Sequence, residues 1–197
     1  MPILNNMPTE HTKWGQLKKS KHINEKVIRN LNRFQYRYRL ARSFSSMTID
    51  GTTPKTVKGY TVFMKLFLAY SAYDEVRAAE MVLLGRKKLK IHAIKNEKTL
   101  AAQLRKNTNL KDLLIKNLEN DADALKISLI SFFADKSDDV MRIATAARNS
   151  FVHGDLTAGG AGLSVNARVD AIENLAKVLM NYCDELFSKC LKRIEAK

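Results

Sequence analysis

Apolar residues recur along the chain at steps of three and four, the period of helices that bury one side. Ile23, Val27, Leu31, Phe34, Tyr38 and Ala41 form the first stripe. Ser43 to Pro54, with Gly51 inside it, breaks the pattern and reads as a loop. Thr56 to Leu84 reads as a long helix, apolar on almost every side between Tyr60 and Tyr73, and Gly85 ends it. Leu100 and Leu104, then Leu110, Leu113, Leu114 and Leu118, predict two short helices around Asn107-Thr108-Asn109. Leu125, Leu129, Phe132 and Phe133 predict another, ending near Ala134. Val140, Ile143, Ala144, Ala147 and Phe151 mark the next, with Ser137 as its N-cap and Asp138 and Asp139 suited to its positive end. A closing helix carries Val165, Val169, Ile172, Leu175, Leu179, Tyr182, Leu186 and Cys190 on one narrow stripe, a candidate dimer contact.

The pattern therefore predicts an all-α protein, a helical bundle with long central and C-terminal helices. Residues 1–20 show no sustained period and read as a loosely ordered basic arm, in which Trp14 either pins the arm to the body, the favoured reading, or serves as the aromatic of a contact surface. Residues 21–197 read as a single domain, the size at which one core suffices. Arg86 to Lys90 is a basic run, the following Ile91 to Ile94 is too short to assign, and Leu156 to Gly162 is a small, Gly-rich mobile loop.

Charge changes this picture most. Lys and Arg number 34 against 20 Asp and Glu, a formal net charge of +14, which favours a polyanion, RNA or DNA ahead of a membrane. The first stripe has a cationic counterpart in Arg29, Arg33 and Arg37 at four-residue spacing, with Tyr36, Arg39 and Arg42 nearby. Cations interleaved with aromatics suit a nucleic-acid groove, Arg for phosphates and Tyr for bases. A plain amphipathic helix with tyrosines at the core margin has the same pattern.

Other chemistries find little support. The four His, at positions 11, 22, 92 and 153, form no ligand pair with each other or with Cys183 and Cys190, so no metal site is predicted. The two Cys lie two helical turns apart on one face, too far to bridge, and read as buried thiols. The Gly-rich loop lacks the Lys-Ser or Lys-Thr pair and the preceding strand of a nucleotide P-loop, and no cofactor is implied. No window is apolar enough to span a bilayer and no signal-peptide core is present, so a cytoplasmic protein is expected.

One stretch concentrates reactive groups: Ala147-Arg148-Asn149-Ser150-Phe151-Val152-His153-Gly154-Asp155. It offers a fixed cation, an amide and an imidazole at the end of a helix that Gly154 can stop. On an ideal helix Asn149 and His153 are an i,i+4 pair, whereas Arg148 and His153 lie about 140° apart. Arg148, Asn149 and His153, an R-N-x-x-x-H pattern in a small helical protein, resemble the motif of the HEPN (higher eukaryote and prokaryote nucleotide-binding) superfamily. The resemblance covers the second half of the chain. It implies a bundle that dimerises with its motifs face to face, often a metal-independent ribonuclease acting as a toxin or antiviral effector, with an antitoxin as a possible partner. Some toxin members carry a Tyr two residues after the His; Asp155 stands there in this chain, so modification at that site is not implied.

RNA can be cut without a metal when the ribose 2'-hydroxyl attacks the adjacent phosphorus, given a base, an acid and positive charge for the phosphorane. His153 suits proton transfer, Arg148 the phosphorane, and Asn149 the holding of phosphate or of the His tautomer. One chain has one motif His, so a homodimer would supply both acid and base. Asp74, Glu75 and Glu80 are candidate orienting acids, the more common alternative being exposure or pairing with Arg77, Arg86 or Lys87. The alternatives are an RNA- or nucleotide-binding module without catalysis, and an interaction scaffold built on the C-terminal helix.

Overall fold

The computed structural model describes residues 9–20, 22–85, 97–106, 108–117, 123–152 and 166–196. The basic run from Arg86, the Ile91–Ile94 stretch, the Gly-rich loop, Gly154, Asp155 and His153 lie outside the described residues. Among the described residues there are eight helices and no strand: α1 Thr9–Ser20, α2 Glu25–Ser43, α3 Pro54–Leu84, α4 Glu97–Arg105, α5 Thr108–Asn117, α6 Asp123–Phe133, α7 Val140–Val152 and α8 Asn166–Glu195. The protein is all-α.

Sequence explains several of these boundaries. Asn24 caps α2 by accepting the Lys26 N–H at 2.9 Å. Pro54 opens α3, where a missing N–H costs nothing, and the Thr53 hydroxyl accepts the Thr56 N–H at 3.3 Å. Gly85 then stops α3 in the left-handed region at φ 62°. No residue of α3 between Tyr60 and Tyr73 is exposed, as its all-round apolar character predicts.

The chain separates into two compact units. The stretch 21–197, read above as a single domain, is divided between them. The first unit takes residues 1–44, 68–92 and 178–197, and the second takes 45–67 and 93–177.

The first unit is built on an aromatic core. Phe34 and Phe187 have ring centroids 5.0 Å apart, and the His11 imidazole lies 4.6 Å from Phe187 and 4.8 Å from Tyr38. Residues 9–20 are not the loosely ordered arm predicted from the sequence: they form α1. His11, Trp14 and Leu17, three apart, are all buried, and Trp14 Nε1 donates to Asn32 Oδ1 at 3.0 Å. Lys13 pairs with Glu195, and Gln35 Nε2 donates to the His11 carbonyl at 2.9 Å. Docking, rather than a sustained apolar period, holds this helix. Trp14 pins the segment as expected.

The second unit packs α7 on α4, α5 and α6. Leu104, Leu110, Leu114, Leu129, Phe132 and Ile143 are fully or almost fully buried there. Arg105 fastens the α6–α7 connection. Its Nε donates to the Phe132 carbonyl at 2.8 Å, and Nη2 donates to the Ser137 carbonyl and Asp138 Oδ1, both at 2.6 Å. Nη1 pairs with Asp135, and the guanidinium lies 4.8 Å from the Phe132 ring centroid. Asp135 turns the chain there at φ 60°.

Candidate functional site

The geometry of the Arg148 stretch follows from how α7 is seated. Asp139, not Ser137, caps the helix: its Oδ1 accepts the Met141 N–H at 3.1 Å, while the Ser137 hydroxyl accepts the Asp139 N–H at 3.2 Å. The Arg105 clasp engages the Ser137 carbonyl, so the first helical turn begins two residues later than the sequence suggests. Val140, Ile143, Ala144, Ala147 and Ser150 fill the buried side, and three of these are small enough to let neighbouring helices approach closely. Phe151 secures the last turn by stacking on Phe63, centroids 5.2 Å apart and planes 11° apart.

Arg148 and Asn149 occupy the other side of that turn, both half-buried. Arg148 Nη1 donates to Asn149 Oδ1 at 2.8 Å. An amide oxygen steers the guanidinium yet leaves its charge intact, which a carboxylate in the same place would not. The arrangement offers a steered cation on a well-packed helix end, suited to a phosphate or to charge developing on one. His153 lies outside the described residues, and α7 is described as far as Val152.

The α2 cations divide. Arg29 and Arg33 are exposed, whereas Arg37 donates from Nη1 to Glu75 Oε1 at 3.0 Å and to the Ser71 carbonyl at 3.3 Å, and so anchors α2 to α3. The tyrosines divide as well. Tyr38 is core, its hydroxyl donating to Asp184 Oδ2 at 2.8 Å and accepting from Arg42 Nη1 at 2.7 Å, whereas Tyr36 is 76% exposed. Burial, with Asp184 beside it, raises the Tyr38 hydroxyl above its ordinary range.

The candidate orienting acids are engaged within the first unit. Glu75 holds Arg37, and Glu80, fully buried, accepts from Arg193 Nη1. Asp74 is exposed. Both cysteines are free and buried, as expected, and burial pushes the Cys190 thiol up to about 12, with the Glu80 charge adding to the rise. Among the described residues no three His, Cys, Asp or Glu gather as a metal site would need, and no helix is long and apolar enough to cross a membrane.

Sequence reasoning missed a polar pair between buried His11 and half-buried Asp184. His11 Nε2 lies 3.8 Å from Asp184 Oδ1, and neither atom has a hydrogen bond in the described structure. The spacing of His11, Trp14 and Leu17 was the available signal. No protein-family model, curated protein or solved structure matches the chain.

Proposed function

We propose that the protein is an endoribonuclease of HEPN type, cutting RNA without a metal at a site that two copies complete. The observation that carries the reading is the Arg148–Asn149 hydrogen bond on the half-buried side of the last turn of α7. It supports a role in which Arg148 stabilises the phosphorane and Asn149 holds it in place. The net charge of +14 supports a polyanionic substrate.

In this reading His153 moves the protons. One imidazole takes the proton of the 2'-hydroxyl as the oxygen attacks phosphorus, and a second, from the other copy, protonates the departing 5'-oxygen. The products are a 2',3'-cyclic phosphate and a free 5'-hydroxyl. The resemblance of the motif extends the proposal to a toxin or antiviral effector working in the cytoplasm, with an antitoxin as regulator. Cutting of labelled RNA in EDTA tests it: Arg148→Ala should lower the rate by about 100-fold or more. Equal cutting by wild type and variant would rule out the site.

A second reading, binding of RNA without cleavage, is favoured by the exposed Arg29 and Arg33. It predicts salt-sensitive binding with no product at any enzyme concentration.

A further inference from the structure

We infer that the outer face of α2 is a holding surface for single-stranded RNA, with Tyr36 as the platform on which an unpaired base stacks. The inference rests on the reading that RNA is the substrate, but not on cleavage at α7.

The face is defined by helical spacing. Arg29, Arg33, Tyr36 and Leu40 follow at i, i+4, i+7 and i+11, one stripe along the side opposite the buried Leu31, Phe34 and Tyr38. Tyr36 is 76% exposed and Leu40 is 46% exposed, and both stand out among the few described large apolar side chains open to solvent. An apolar pair one helical turn apart makes a platform of about the size of a base. From Lys26 to Arg42 the helix carries no acid. Its six cations are not equivalent. Arg37 is tied to Glu75 and Arg42 to Tyr38, so the unit's own packing uses them, while Arg29, Arg33 and Arg39 are exposed and pair with no described residue.

This combination selects among polyanions. Arg29 and Arg33 are separated by about 6 Å along the axis, within reach of neighbouring phosphates on an extended strand. A duplex would meet the cations but would keep its bases stacked internally, leaving Tyr36 and Leu40 in water, and the A-form major groove is too deep and narrow to admit the helix. A single strand satisfies both halves of the face, phosphates on the arginines and a base on the ring.

Binding of a short fluorescent 2'-O-methyl oligouridine tests the inference, because that probe lacks the attacking hydroxyl and cannot be cut. Tyr36→Ala should weaken binding about tenfold, and Tyr36→Phe should retain it. Arg29→Ala with Arg33→Ala should lower the slope of log affinity against log salt by about 1.4, roughly 0.7 for each lost phosphate contact. Arg29, Arg33 and Tyr36 are all exposed, so circular dichroism melts of the variants should superimpose on that of the wild type. Unchanged affinity in Tyr36→Ala, or equal affinity for a duplex of the same length, would overturn the inference. So would binding to phosphatidylserine vesicles that depends on Tyr36 while oligouridine binding does not. Tyr36-dependent binding by a protein that fails to cut RNA would leave this inference standing and remove the proposed cleavage; cutting with Tyr36-independent binding would do the reverse.

Discussion

Arg148 Nη1 donates to the side-chain oxygen of its neighbour Asn149 at 2.8 Å, a contact between adjacent residues on a helix whose opposite side is fully packed. The amide therefore acts as a steering group for the guanidinium. Asn149→Ala should lower kcat about tenfold while changing stability by less than about 0.5 kcal/mol, since neither side chain is in the core. Asn149→Asp should weaken RNA binding as well, because a carboxylate would offset the Arg148 charge. Steady-state kinetics and urea titrations separate the two effects.

Arg105 is expected to matter for stability more than for chemistry. It is mostly buried and joins the end of α6 to the start of α7 through the Phe132 and Ser137 carbonyls and two aspartates. Arg105→Ala leaves those acceptors without their donor and should cost about 2–4 kcal/mol, read from the urea midpoint. Arg105→Lys should recover less than half, because an ammonium cannot present the planar fork.

Trp14 is the only tryptophan, fully buried, and so reports directly on α1. Its emission should be blue-shifted and resist iodide quenching in the native protein, and Trp14→Ala should destabilise by about 3–5 kcal/mol. Solvent-exposed emission from the native chain would contradict the docking of α1.

These three sites show what the sequence discloses and what it hides. The all-round apolar run between Tyr60 and Tyr73 identifies α3, and Arg148 and Asn149 stand out as residues, but their mutual hydrogen bond does not: Asn149 reads as a holder of phosphate or of the His tautomer. Helix α1 escapes notice because, among its described side chains, only His11, Trp14 and Leu17 are buried, too few to mark a period. Arg37 reads as a free cation until its distant partner Glu75 is seen, and Arg105 gives no local hint that it serves a different helix pair. The division into two units is only partly marked in the sequence: one boundary, between Phe44 and Ser45, falls in the predicted Ser43 to Pro54 loop, but the helical ones carry no signal. Those boundaries lie between Phe67 and Leu68 in α3 and between Lys177 and Val178 in α8, where an unbroken helix supplies no loop signal.

Alkaline pH should unfold the protein. Burial raises the Cys190 thiol from its ordinary 9.0 to about 12, and burial raises Cys183, Tyr38 and Tyr73 in the same direction. Each native group keeps a proton that the unfolded chain releases, so unfolding free energy falls as pH rises. For Cys190 the stabilisation is complete below pH 9 and is lost at about 1.4 kcal/mol per pH unit as pH climbs toward 12; the tyrosines add to the loss once pH passes their ordinary value of 10.0. Urea titrations at about pH 8 and about pH 10.5 should differ by at least about 2 kcal/mol. Thiol reagents should label neither cysteine until the chain unfolds.

The most direct measurement is end-group analysis of RNA incubated in EDTA with the wild type and with His153→Ala. The account predicts 2',3'-cyclic phosphate ends from the wild type and a rate at least about 100-fold lower in the variant, the scale of a lost proton-transfer group. Undiminished cutting by His153→Ala, or the absence of cutting by both proteins, would contradict it.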